Sequence, residues 1–146
     1  MDAIGLFLLI AGYVIGLGAV TVIDIHGFLG RKSAYWTEAT TRTHKVTKPL
    51  IWLGIVLVSI GGIIYFRNES FSGTPLYLAV SAFVLVCNGV FLSFSVSPYI
   101  LARERAGTQA QLLPQSWQNK ILVSLILSDI GWWGSLIMLV IYITHK

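Results

Sequence analysis

The stretch Leu50-Ile-Trp-Leu-Gly-Ile-Val-Leu-Val-Ser-Ile60 contains no charged residue and no alternation of polar and apolar side chains. Strands of a membrane barrel alternate in polarity over about ten residues, because one face meets lipid and the other the lumen. A continuous apolar run reads instead as a helix, which satisfies its own backbone hydrogen bonds where water is absent. Three further runs, 4–24, 76–96 and 121–143, share this character with 50–66. Each falls in the range of about 17–25 residues that crosses the hydrocarbon core at about 1.5 Å rise per residue.

Composition agrees. Of 146 residues, 55% are apolar and only 11% charged, with a mean hydropathy of +0.78, whereas a soluble domain carries about 25% charged residues. The expectation is an all-α, polytopic membrane protein: one domain, 1–146, with helices at about 4–26, 49–66, 75–105 and 117–143 and connecting loops at 27–48 and 106–116. A cleaved secretory signal begins with basic residues; here Asp2 follows Met1 and the basic residues come after the apolar run, so the first helix reads as retained.

Charge placement predicts orientation. Arg31, Lys32, Arg42, Lys45 and Lys48 lie between the first two helices and Arg103, Arg105 and Lys120 between the last two, while Arg67 and Lys146 lie on the other side. The positive-inside rule then puts both loops in the cytoplasm and both termini outside. These cations read as topology signals and contacts to anionic lipid headgroups rather than a nucleic-acid patch. Cys87 is the only cysteine, which excludes an intrachain disulfide and a dithiol exchange enzyme.

Gly12 and Gly16 share one helix face where a second helix can approach closely, and Gly18 and Ala19 widen that strip. Within the first loop, Glu38 and Arg42 stand at the four-residue spacing that supports a short interfacial helix. Pro49 fits the first turn of the second spanning helix. A turn with Gly, Ser and Pro punctuation follows at 67–75, making the second and third helices antiparallel neighbours, and Gly107 suits the end of the third.

The polar side chains inside the apolar runs carry the functional reading, since an ionisable residue in lipid is costly and faces the bundle interior. Asn88 and Asp129 each lie about 13–15 Å from the cytoplasmic surface at helical rise, and Ser59 lies at a similar level. Together they predict one midplane polar layer against which the glycines of the first helix pack. In it, Asp129 either bonds Asn88 as interhelical glue or loads and releases a proton or cation. Ser124, Ser128 and Ser135 fall near one face of the last helix, and one of Trp132 and Trp133 is expected to pack internally.

Asp24 and His26 are about 200° apart around a helix and cannot jointly grip one ion. His26 and His44 bracket the first loop, and the return into the second helix can bring them together. Two imidazoles suit haem iron or, with Asp24, a transition metal. The competing reading pairs Asp24 with Arg31 or Lys32 and leaves both histidines in the headgroup region.

Thr43-His-Lys-Val-Thr-Lys-Pro-Leu-Ile-Trp-Leu-Gly54, Asn88-Gly89 and Trp132-Trp133-Gly134, set in four helices, resemble the small bacterial membrane proteins of the CopD-like and HemJ-type families. The resemblance implies a four-helix bundle of the inner (cytoplasmic) membrane that holds haem b or handles a metal. HemJ-type proteins have a histidine early in the first helix and a lysine in the third; this chain has no histidine before His26 and no lysine between Thr74 and Arg105. Protoporphyrinogen oxidase activity is therefore not expected, and no phosphate loop, nucleophile elbow or zinc-protease helix supports another enzyme. The expectations are an accessory haem- or metal-binding protein using His26, His44 and Asp24, a proton- or ion-coupled transporter or channel using Ser59, Asn88 and Asp129, acting as a homo-oligomer, or a structural subunit of a larger membrane complex.

Overall fold

The computed structural model describes residues 2–145, all of whose regular structure is helical. Lys146, placed above opposite the basic loops, lies outside the described residues. Four helices follow one another: α1 (Ala3–Gly30), α2 (Ala34–Tyr65), α3 (Thr74–Arg105) and α4 (Gln115–Thr144). Each is long and apolar enough to cross a membrane. Their 28 to 32 residues span about 42–48 Å at helical rise, against about 30 Å for a hydrocarbon core. The excess length lies largely at the end of the bundle where Arg31, Lys32, Lys45, Arg103 and Arg105 gather, here called the basic end.

That excess differs from the loop expected over 27–48. α1 continues to Gly30, only Arg31, Lys32 and Ser33 turn the chain, and α2 begins at Ala34. Ser33 caps α2, and its hydroxyl accepts from the Trp36 amide at 3.5 Å. The Glu38–Arg42 pair forms at 2.5 Å within the extension. Pro49 is consequently inside α2 rather than in its first turn. Its ring sits at an exposed position, and the helix passes through the missing amide without ending.

At the opposite end Asp2 caps α1, accepting from the amides of Ile4 and Gly5 at 3.1 Å each, and reaches Arg67 at 3.3 Å. An acid here satisfies amides that have no intrahelical partner and opposes the positive end of the helix dipole. Gly73 takes a positive φ of 58° before Pro75 opens α3, and Gly107 takes one of 70° just past its end.

The core is glycine against glycine. α1 and α2 share the most extensive interface, and Gly12 meets Gly54 and Val58 so closely that an added Cβ would stand 2.7 Å from the Val58 backbone nitrogen. A Cβ on Gly61 would stand 2.6 Å from the Leu9 amide, and one on Gly54 would run into the Gly16 backbone. Gly18 meets nothing within 4 Å and takes no part. The glycines of α1 therefore pack on α2 and, at Gly16, on the Trp132 ring, not on a polar layer. Trp132 is 1% exposed and meets Tyr13 edge-on, whereas Trp133 points outward at 47%. Outer faces are apolar, with Phe7, Val14, Ile63, Phe83 and Phe94 exposed.

Midway along α3, Leu92–Val96 form a π turn, in which the Ser97 amide donates to the Leu92 carbonyl five residues back. Pro98 accounts for it: proline cannot donate to the carbonyl four residues earlier and its ring crowds that turn, so the helix widens by one residue and continues. The widening presents Leu92, Ser93 and Val96 to a cavity.

Candidate functional site

The cavity lies between all four helices toward the basic end and has a volume of about 110 Å³. α1 supplies Asp24 and Gly27, with Arg31 just past its last turn, at spacings that share one helix face. α2 supplies Thr37, Thr41, His44 and Lys48 at the same three- and four-residue intervals. α3 adds Ser93 and Arg103, the α3–α4 connection Gln109, and α4 Gln118, Ser124 and Ser128. This stripe on α2 exists only because 34–48 is helical; in a loop those side chains would have no common face.

Several lining groups are committed to holding the walls. Thr37 donates to the Gly30 carbonyl at 2.7 Å, closing the α1–α2 turn. Trp52 donates through Nε1 to the Ser93 hydroxyl at 3.0 Å, tying α2 to the π turn. Arg103 donates to the Gln111 carbonyl at 2.7 Å and the Thr108 carbonyl at 3.1 Å, fixing the connection that roofs the space. Lys45 and Glu104 pair at 2.7 Å across α2 and α3.

Other groups are not committed. Asp24 Oδ2, Arg31 Nε, His44 Nε2 and Gln109 Oε1 are buried without a hydrogen-bond partner in the protein, and all four residues line this cavity. Buried polar groups are nearly always paired, and an unpaired one costs about 1–3 kcal/mol. Four such atoms in the walls of one mainly apolar cavity make it the candidate site of the molecule. Asp24 forms no ion pair with Arg31 or Lys32 among the described residues, contrary to the pairing expected of it. Its electrostatic neighbour is Asp129 on α4, where α1 and α4 run antiparallel and Gly27 approaches Leu125.

The residues singled out in the sequence are thus redistributed. His26 does not line the cavity; its Nδ1 meets the Thr43 hydroxyl at 3.0 Å and its ring stands 5.1 Å from that of Trp36. His44 follows Thr43 by one residue, about 100° further around α2, and turns into the cavity. Among the described residues no three His, Cys, Asp or Glu side chains gather as a metal site. The arrangement of His26, His44 and Asp24 does not fit a haem or metal held by the three together.

The midplane trio also separates. Asn88 is bonded not to Asp129 but to Ser124: its Nδ2 donates to the Ser124 carbonyl at 3.0 Å, and the Ser124 hydroxyl donates to its Oδ1 at 2.6 Å. Both are buried, and the pair latches α3 to α4. Among the described residues no hydrogen bond joins Ser59 on α2 to either. Asn88→Ala is expected to destabilise the protein by about 0.6–1.7 kcal/mol, between the average and the maximum for polar interhelical bonds in membranes, as read by denaturation in detergent.

Compared with protein-family models, curated proteins and solved structures, the chain has no match. The site is therefore read from its own geometry.

Proposed function

We propose that this is a multi-pass protein of the cytoplasmic membrane, with both termini outside and the basic end in the cytoplasm, which acts as a proton- or ion-coupled transporter or channel through the four-helix cavity. Asp24 carries the reading: an acid without an ion pair lines a cavity whose walls are mostly apolar, in electrostatic range of a second acid, Asp129. Ionisable side chains that face a bundle interior mark ion and proton pathways. Asp129 acts electrostatically on Asp24, and carboxyl groups that interact strongly take up protons as a pair rather than one by one. Asp24, His44, Lys48 and Arg31 line one cavity toward the basic end, with Asp129 in electrostatic range of Asp24. Asp24 thereby takes the place that the sequence assigned to Asn88.

The orientation is supported by eight basic residues at one end against Arg67 beyond the other among the described residues. The haem-binding reading has less support. His26 and His44 face different spaces, and about 110 Å³ is well below the about 300–1,000 Å³ of sites for larger organic ligands.

The test is pH-driven flux in liposomes containing the purified protein. Wild type is expected to dissipate an imposed pH gradient faster than empty liposomes, and Asp129→Asn to lose about tenfold or more of that rate while remaining folded. Wild-type flux no greater than that of empty liposomes would end this reading.

A further inference from the structure

Resting on the cavity as the transport site, we propose that its cargo is a small oxyanion that retains a hydroxyl, of the hydrogenphosphate or phosphomonoester type. Three observations lead there. The first is charge. Arg31 from the α1–α2 turn, Lys48 from α2 and Arg103 from α3 all line the cavity, against the single carboxyl of Asp24 within it and Asp129 beside it. Arg103 is held by loop carbonyls. Lys48 makes only a long bond of 3.4 Å to the Ser97 hydroxyl, and Arg31 Nε makes none. Two cations are therefore free to turn to an anion, which a site for a metal cation would not place there.

The second observation is the kind of atom left unpaired. Arg31 Nε is a donor, His44 Nε2 a donor or acceptor, and Asp24 Oδ2 and Gln109 Oε1 acceptors. Donors alone would suit a fully deprotonated anion such as sulfate. A mixed set suits an anion with both bare oxygens and an O–H, since the O–H can donate to Asp24 or Gln109 while the bare oxygens accept from Arg31 and His44. Arginine adds a planar fork that matches such oxygens.

The third is size. The cavity, at about 110 Å³, is well below the about 300–1,000 Å³ of sites for larger organic ligands. That is room for a compact tetrahedral or planar ion but not for an organic cofactor.

The same chemistry can arrive free in water or as the headgroup of phosphatidic acid, and the assay separates the two. Protein in a neutral detergent is titrated with inorganic phosphate, with sulfate or chloride at matched ionic strength, and in a separate arm with micelles containing phosphatidic acid. Thermal unfolding is the readout, because a ligand of the folded state raises the midpoint by an amount that grows with the logarithm of its concentration over Kd. Phosphate is expected to stabilise more than sulfate, and chloride not at all. Arg31→Gln and, independently, Lys48→Gln are expected to weaken phosphate binding by about tenfold or more, the worth of a charged hydrogen bond. If only the phosphatidic acid arm stabilises, and the same variants abolish it, the cargo is the lipid form. Equal stabilisation by all three anions, no stabilisation by either phosphate source, or unchanged binding in both variants would overturn the proposal. The assay reads binding, so anion binding without flux would refute the transport reading alone, and flux without anion binding would refute this one alone.

Discussion

Gly54→Ala is expected to destabilise the bundle by about 1–3 kcal/mol, the usual cost of forcing extra carbon into a packed interior. The new Cβ would meet the Gly16 backbone and the Gly12 carbonyl oxygen. Backbone cannot rotate aside as a flexible side chain can, so α1 and α2 must separate along their shared interface. Without a hydrophobic drive between helices in lipid, close contact of this kind is what holds them together. Separation would also displace Asp24 and Arg31 from the face of α2 that carries His44 and Lys48, so transport should fall with stability. Gly18→Ala is the matching control. Nothing lies within 4 Å of the added atom, and the change should stay within about 0.5 kcal/mol, as for other substitutions away from packed contacts. Denaturation of both variants in one detergent checks the contrast, and equal stability would show that the glycine interface is not what binds the two helices.

The four long apolar helices were legible because apolarity over about 20 residues is a strong signal. The stretch 34–48 was legible as a short interfacial helix but not as a continuous part of α2, because hydropathy reports where lipid is rather than where helix is. Residues 34–48 are polar and basic, and their helical character is carried by the Glu38–Arg42 pair and by the lack of Gly or Pro. Pro49 misplaced the boundary for a physical reason: prolines favour first turns, yet membrane helices tolerate internal ones when neighbouring groups compensate. The polar layer failed differently. Depth along a helix follows from counting residues, but the facing direction depends on which neighbour packs where. Ser124 and Ser128 face inward with Asn88 and the cavity, while Asp129, about 100° further around, turns to the α1 seam and Asp24. Asp24 stood in plain sight, but with the first loop drawn too long it read as a metal ligand beside the two histidines or as the ion-pair partner of Arg31 or Lys32. A helical reading of 34–48 would have placed it opposite His44 and Lys48.

Asp24→Asn is expected to abolish flux while leaving the fold intact. The carboxyl makes no ion pair among the described residues, and Oδ2 has no hydrogen-bond partner in the protein; an isosteric amide removes no structural contact that the protein depends on. What it removes is the ability to carry a proton or a charge. An acid serving only as packing would accept this change with a small shift in stability and no functional loss. An acid serving in conduction would not, and the two roles separate when folding and flux are measured on the same sample.

The most direct measurement is therefore the decay of an imposed pH gradient in liposomes containing wild-type or Asp24→Asn protein at equal density, with thermal unfolding recorded on each preparation. The account predicts flux above that of empty liposomes for wild type, a fall of about tenfold or more in the variant, corresponding to about 1.4 kcal/mol or more in barrier height, and unfolding midpoints that coincide. Wild-type flux that survives Asp24→Asn unchanged would contradict it, since the cavity would then not lie on the path the ion takes.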